Sequence, residues 1–198
     1  MKTDIVLGGV GGQGILSIAA TIAMAALEND LQIKQSEVHG MSQRGGAVQS
    51  HLRISDKPIS SDLIPVGEAD LIISVEPMEG LRYLPYLTRD GWFVTNTKPF
   101  INIDDYPNQD DLMKSINEIK NHVALNADKL AKELKAPKSS NIVMLGAASP
   151  FINIPFESFE VGLRKIFGRK GEEVVRMNIT ALKAGREFAE KSIKTISN

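Results

Sequence analysis

Residues 3–27 have the sequence TDIVLGGVGGQGILSIAATIAMAAL, which predicts a strand, a glycine-rich turn and a helix in direct succession. The apolar run at 3–8 ends in glycine and is typical of a buried strand. The part that follows the turn is rich in Ala, Leu and Met, which favour a helix. It is apolar around most of its circumference, so we expect a well-covered helix over 14–27.

Beyond this stretch, strand and helix patterns alternate along the chain. Residues 47–55 alternate between apolar and polar positions, as in a strand with one exposed face. Residues 69–75 indicate a buried strand, and Pro77 suits the first turn of a helix through about residue 87. The other predicted elements are a weak strand at 31–36, a loop at 37–46, a strand at 91–95, a connection at 98–107, a helix at 110–120, a strand at 122–125, a helix from an N-cap at Asn126 or Asp128 to about 134, a buried helix or strand at 141–148, and two helices within 156–193 separated near 168–171.

The interleaving of strands and helices predicts the fold class. It indicates an α/β protein with a three-layer α/β/α, Rossmann-like architecture and a mostly parallel or mixed sheet. No internal repeat, low-complexity tract or clear linker interrupts the chain. We therefore predict a single domain over 1–198, with a helical C-terminal tail at about 156–193.

The glycine turn is the first candidate site. Gly9, Gly11 and Gly14 satisfy the pattern G-x-G-x-x-G directly between a predicted strand and a predicted helix, and Gly12 opens the loop further. Glycine permits positive φ and close approach of a ligand, and the free N–H groups of a helix N-terminus favour an anion. The pattern is compatible with NAD or flavin, with another phosphate ligand, or with tight packing and contact with another chain.

A dinucleotide site also needs an acidic residue about 20 residues further on, to bind a ribose hydroxyl. Glu37 is the nearest candidate. The residues before it, QIKQS, are polar, whereas such an acidic residue usually ends an apolar strand. This setting weakens the dinucleotide interpretation.

A second glycine-rich segment, Ser42-Gln43-Arg44-Gly45-Gly46, is predicted to lie in the loop between two strands. The planar guanidinium of Arg44 offers five donors suited to a carboxylate or a phosphate. A loop at the end of a strand could lie beside the glycine turn, where ligands and partners of α/β sheets collect. A plain surface loop with Arg44 in a local ion pair is an equal alternative.

Composition excludes several classes of function. The formal net charge of −1 provides no excess of positive charge that would attract nucleic acid or an anionic membrane. No apolar run approaches the roughly 20 residues needed to cross a bilayer, and the N-terminus does not resemble a signal peptide. We therefore expect a cytoplasmic protein.

Cysteine is absent, so the chain cannot supply disulfides, a thiol nucleophile or thiolate ligands for an iron–sulfur cluster. The three histidines, His39, His51 and His122, lie far apart in sequence and are expected to be surface or packing residues. The sequence predicts no metal site, and no arrangement of side chains identifies a catalytic residue.

Three other features have ordinary structural explanations. Glu76 precedes Pro77 and is expected to be a solvated carboxylate that caps the next helix. Trp92 is expected in the core or an interface. The basic tract at 164–170 is balanced by Glu172 and Glu173, which indicates a solvated helix end.

The pairing of GVGGQG with SEVHGMSQRGG resembles the gamma domain of the 2-oxoacid:ferredoxin oxidoreductases. The similarity continues through ADLIISVEP, GWFVTNT and SSNIVMLGAA, and so covers most of the chain. Within that family, the sequence is most similar to the smaller subunit of indolepyruvate ferredoxin oxidoreductase.

The resemblance implies a division of labour between subunits. Members of the family decarboxylate a 2-oxoacid oxidatively, pass electrons to ferredoxin and conserve the acyl group as a thioester of coenzyme A. Thiamine diphosphate, magnesium and the iron–sulfur clusters are expected on a large partner subunit, since this sequence lacks cluster ligands and a GDG-type segment. The chain would then be a non-catalytic subunit. Its cofactor-binding or partner-facing residues would be Gly9, Gly11, Gly12, Gly14, Ser42, Gln43, Arg44, Gly45 and Gly46.

Two alternatives from other classes stay open. One is an independent NAD(P)- or flavin-dependent oxidoreductase, which rests on the glycine turn. The other is a binding module for a phosphorylated metabolite or coenzyme A, which rests on the glycine turn and Arg44.

Overall fold

The computed structural model of the protein describes residues 1–39 and 45–196. Within these residues, six strands form one sheet in the order β2-β3-β1-β4-β5-β6. The strands are β1 (Lys2–Val10), β2 (Gln32–His39), β3 (Ala47–Ser55), β4 (Ala69–Ser74), β5 (Leu87–Asn96) and β6 (His122–Leu125).

The sheet is mixed. β1 pairs in parallel with β4, β4 with β5, and β5 with β6. β3 is antiparallel to both β1 and β2, so β1 and β2 run in the same direction. Five strands therefore end at the same side of the sheet, which we call the carboxyl edge.

Seven α-helices of the described residues cover the two faces of this sheet. One layer contains α1, α4, α5, α6 and α7, and the other contains α2 and α3. The three-layer α/β/α prediction is confirmed. The helices are α1 (Ile15–Leu27), α2 (Pro77–Arg82), α3 (Gln109–Asn117), α4 (Ala127–Glu133), α5 (Ser140–Ala148), α6 (Phe156–Phe167) and α7 (Glu172–Ile196).

Alternate side chains of the central strands pack against the two helical layers, because successive side chains of a strand point to opposite faces. Ile5, Leu7 and Ile73 join the larger core under α1 and α5. Val6, Ile72 and Phe93 join the smaller core under α2 and α3. The continuous apolar runs of β1 and β4 thus correspond to strands that are buried on both sides.

α5 and α7 cross with their backbones in close contact. A Cβ on Gly146 would lie 2.0 Å from the carbonyl oxygen of Leu182, and a Cβ on Gly185 would lie 2.0 Å from that of Val143. The predicted helices of the C-terminal segment are present, and Leu182 is fully buried in the larger core. This segment therefore contributes directly to the core.

Several predicted boundaries were wrong, and β5 begins at Leu87 instead of residue 91. Residues 37–39 belong to β2 and not to a loop, because Glu37 pairs with Ser50 and His39 with Val48 across the β2–β3 hairpin. The helix that begins at Pro77 ends at Arg82 and is followed by a 3₁₀ turn over Leu84–Tyr86. Pro85 explains the stop, since proline lacks the N–H of an α-helix and restricts the residue before it.

Candidate functional site

The glycine turn connects β1 to α1 at the carboxyl edge. Gly14 is the N-cap of α1 in the left-handed region, with φ 82° and ψ 26°, and Gly12 has φ 98°. These positive φ values explain why glycine is needed at both positions. A Cβ on Gly9 would lie 2.4 Å from Cγ2 of Val75, so Gly9 is required for packing.

The positive end of the α1 helix dipole, at its N-terminus, is not neutralised by a side chain of the described residues. In the described residues, no side chain caps it and its first turn contains no acidic residue. Gln13 bends back, and its Oε1 accepts a hydrogen bond from the Val10 N–H at 2.8 Å. The turn can therefore offer N–H groups and a helix dipole to an anion.

The second glycine-rich segment lies directly against this turn. The Gly11 N–H donates to the carbonyl of Gly46 at 2.9 Å, and the Gly45 N–H donates to the carbonyl of Gly11 at 3.4 Å. Ser42, Gln43 and Arg44 lie outside the described residues. The structure thus brings the ends of the two predicted loops together.

A cavity of about 410 Å³ lies on one side of the turn. It is lined by Gly11, Gly12 and Gly14, and also by Glu37, whose Oε2 has no hydrogen-bond partner within the described residues. Glu37 therefore lies beside the glycine turn, although the residues that precede it in β2 are polar. Its strand still differs from that of a dinucleotide fold, because the antiparallel β3 separates β2 from β1.

A second cavity, of about 640 Å³, lies on the other side of the turn. Gly12, Gln13 and Gly14 line it together with Lys138 and Lys170. Two ammonium groups and a helix N-terminus favour an anionic ligand such as a phosphate. Lys138 precedes α5 and belongs to no local motif, so its sequence context did not identify it. Lys170 was expected at a solvated helix end.

The third cavity, of about 250 Å³, lies between the connections that follow β1 and β4. Gln13, Val75, Lys98 and Phe100 contribute to its lining. The chain leaves β1 toward one side of the sheet and β4 toward the other, so this position is the topological switch point, where α/β sheets bind ligands. The three cavities share the carboxyl edge as their common location.

Glu76 is fully buried, so the expectation of a solvated carboxylate was wrong, although its capping role is confirmed. Its Oε2 accepts from the Glu79 N–H at 2.8 Å. Its Oε1 accepts from the Phe100 N–H at 3.2 Å and from the hydroxyl of Tyr106. Burial, with the added hydrogen bond to this carboxylate, raises the pKa of the Tyr106 phenol above its ordinary value.

Other sequence candidates have structural roles. The Trp92 ring stacks on Phe151, with centroids 4.1 Å apart, which confirms a packing role. His51 is buried, and its Nδ1 accepts a hydrogen bond from the Ile64 N–H at 2.9 Å. In the basic tract, Lys165 forms an ion pair with Glu28.

The chain matches the model of the pyruvate ferredoxin/flavodoxin oxidoreductase family. The family model matches residues 4–188, and the chain belongs to this family. More particularly, it is similar to indolepyruvate oxidoreductase subunit IorB of Archaeoglobus fulgidus, with 34% identity over 93% of this chain and 94% of that protein. The IorB of Methanothermobacter thermautotrophicus is also 34% identical, over 97% of this chain and 100% of the relative.

Solved structures show the same fold. The gamma subunit of keto/oxoacid ferredoxin oxidoreductase from Geobacter sulfurreducens PCA has a TM-score of 0.72 and 25% identity, over 96% of this chain and 99% of that one. The 2-oxoglutarate:ferredoxin oxidoreductase of Magnetococcus marinus, solved with 2-oxoglutarate, coenzyme A and succinyl-CoA bound, has a TM-score of 0.75 and 25% identity. The match covers 96% of this chain but only 31% of that longer chain.

These comparisons confirm the resemblance inferred from the two glycine-rich segments. The relatives of this chain are subunits of oxidoreductase complexes. Along residues 1–39 and 45–196, no helix combines the length and apolar character needed to span a membrane.

Proposed function

We propose that residues 1–198 form one gamma-type domain, which serves as the small subunit of a cytoplasmic 2-oxoacid:ferredoxin oxidoreductase. The substrate would be indolepyruvate or a related aryl pyruvate. The observation that carries this proposal is the similarity to IorB over nearly the full length of both chains. The large partner subunit would hold thiamine diphosphate, magnesium and the iron–sulfur clusters, and would pass electrons to ferredoxin.

The role proposed for this chain is to bind coenzyme A at the carboxyl edge. Coenzyme A carries phosphates, and the cavity with Lys138, Lys170 and the α1 N-terminus has the charge that phosphates require. A structural relative contains coenzyme A and succinyl-CoA. The predicted site residues Gly9, Gly11, Gly12, Gly14, Ser42, Gln43, Arg44, Gly45 and Gly46 would face this ligand or the partner.

Exposed apolar side chains support contact with the partner at the same edge. Of the nine large apolar side chains that are exposed in the described residues, five lie here, and the side chain of Ile101 is 72% exposed. Clustered apolar exposure is typical of protein interfaces. A ligand held at this edge could then present its thiol to a reaction centre on the partner. The five residues are Leu16, Val38, Phe100, Ile101 and Ile103.

Assembly and activity test the proposal together. The chain should co-purify with the cysteine-rich, thiamine-type large subunit from the same organism, and the pair should reduce ferredoxin with indolepyruvate only when coenzyme A is present. If no complex forms, and the large subunit is equally active without this chain, the proposal is wrong.

The coenzyme A site has its own test. Replacing both Lys138 and Lys170 by Ala should raise the KM for coenzyme A at least about tenfold, because two charge-assisted hydrogen bonds are lost, and leave the KM for the 2-oxoacid unchanged. Lys129→Ala, on the surface of α4, is the matched control. Equal KM values in all three proteins would exclude this cavity.

A second candidate function is the binding of a nicotinamide or flavin nucleotide. It is favoured by the Glu37 carboxylate in the glycine-turn cavity, whose Oε2 has no hydrogen-bond partner within the described residues. Titrating the purified chain with NAD, NADP, FAD and FMN tests it, and failure of all four to bind would exclude it.

A further inference from the structure

The connection between β5 and α3 crosses the carboxyl edge, and we call residues 97–107 the strap. It contains Phe100, which lines the switch-point cavity, and the exposed Asn102. Thr97 and Lys98 tie the start of the strap to Leu125 and Asp128, and two further anchors hold the rest of it. The first is the carboxylate of Glu76, and the second is the backbone carbonyl of Gly45.

Glu76 supplies a buried anchor. Two of the three donors to its carboxylate, the Phe100 N–H and the Tyr106 hydroxyl, come from the strap. No cation forms an ion pair with Glu76 within the described residues. A buried carboxylate without a cation depends on its hydrogen bonds, so opening the strap would leave it undersatisfied. The strap is therefore held in one position.

Asn102 extends this restraint to the glycine-rich loops. Its Nδ2 donates to the carbonyl of Gly45 at 2.6 Å. Gly45 and Gly46 in turn exchange backbone hydrogen bonds with Gly11 of the glycine turn. A continuous series of contacts thus runs from Glu76 through the strap to both loops that the proposed ligand would approach.

We propose that Asn102 and Glu76 are positioning residues for the ligand-binding edge. Glu76 fixes the strap, and Asn102 holds Gly45, and with it the end of the 42–46 segment, against the glycine turn. Because Asn102 is exposed, we expect the loss of its hydrogen bond to change global stability little. The inference rests on the proposed function only for the identity of the ligand, coenzyme A.

The first test measures geometry in the full chain without ligand. In Asn102→Ala, amide hydrogen exchange at Gly11 and Gly45 should become faster, whereas amides of β4 should be unaffected. Asp104→Ala is the matched control, since Asp104 is an exposed strap residue that forms no hydrogen bond or ion pair within the described residues. Tyr106→Phe, which keeps the ring, should accelerate exchange at Phe100. Unchanged exchange at Gly11 and Gly45 in Asn102→Ala would overturn the proposal.

The second test measures coenzyme A binding by calorimetry. Asn102→Ala should weaken binding about fivefold or more while its Tm stays close to that of the wild type. Asn102→Gln, which keeps the amide donor, should recover part of the loss, and Asp104→Ala should bind normally. Equal affinity in the wild type and Asn102→Ala would contradict a positioning role.

The two proposals can fail separately. If the wild type does not bind coenzyme A, the ligand assignment fails, and the exchange measurement still decides whether Asn102 positions the loops. If Asn102→Ala loses affinity and Tm together, the residue is structural and the proposal is wrong.

Discussion

Buried polar residues fix the connections of this protein at the level of single side chains. Glu76 accepts hydrogen bonds from one donor in α2 and two donors in the strap, and Asn96 acts similarly where β5 ends. The Asn96 Oδ1 accepts from the Ala127 N–H at 3.1 Å, while its Nδ2 donates to Asp128 at 2.9 Å. Burying either polar side chain without hydrogen-bond partners would cost free energy. These hydrogen bonds therefore stabilise one arrangement of the surrounding chain.

His51 offers a residue-scale prediction about pH. Burial lowers the pKa of its imidazole below the ordinary value of 6.5, and the neutral ring accepts the Ile64 N–H. The unfolded chain therefore binds the proton more readily than the folded chain. The contribution of His51 to the free energy of unfolding should be complete above about pH 6.5. It should be lost as the pH falls from this value toward the lower pKa of the imidazole in the folded protein.

Urea unfolding of the wild type and His51→Gln between neutral and mildly acidic pH checks this prediction. Glutamine can accept the Ile64 N–H but does not titrate. The free energy of unfolding of the variant should therefore fall less over this range. Parallel curves for both proteins would show that His51 does not contribute to the pH dependence.

At the scale of elements, the crossing of α5 and α7 depends on the absence of two side chains. Gly146 and Gly185 let each helix contact the backbone of the other. A methyl group at either position would meet a carbonyl oxygen, which cannot rotate away. The two helices would have to separate, and both belong to the larger core.

Gly146→Ala and Gly185→Ala should each lower the free energy of unfolding by about 3 kcal/mol, the upper end of the usual range for overpacking. Gly168→Ala is the control, because nothing lies within 4 Å of its Cβ position. Thermal and urea unfolding measure the effect. A loss in Gly146→Ala no larger than that in Gly168→Ala would contradict the close crossing.

For the whole molecule, the carboxyl edge combines loops, cavities and exposed apolar side chains in one place. Five strands end there, so their following connections meet although they are distant in sequence. The same edge would have to contact both the ligand and the large subunit under the proposed function. A substitution on the opposite edge of the sheet can therefore serve as the control for one on the carboxyl edge.

Ile101→Asp should weaken association with the large subunit at least about tenfold, because a charge would be placed in an apolar contact. Val66→Asp, at an equally exposed apolar position in the β3–β4 connection on the opposite edge, should associate normally. Surface binding or analytical ultracentrifugation of the two chains measures the difference. Equal weakening by both substitutions would argue against the carboxyl edge as the interface.

The sequence alone determined the local features of this protein. Hydrophobic runs and helix formers predicted β1, α1, β4 and the helices of 156–193, since these depend on periodicity and propensity over neighbouring residues. The spacing of the glycines and the SQRGG segment also identified the family. The sequence also contains no cysteine that could supply a thiolate ligand to an iron–sulfur cluster.

Only the tertiary structure decided what depends on residues far apart in sequence. It extended β2 through His39 by pairing it with β3, and it buried Glu76 beneath a strap more than twenty residues away. It also placed Lys138 and Lys170 beside the glycine turn. Pairing, burial and cavity lining result from the packing of the whole chain, and no short window of sequence contains that information.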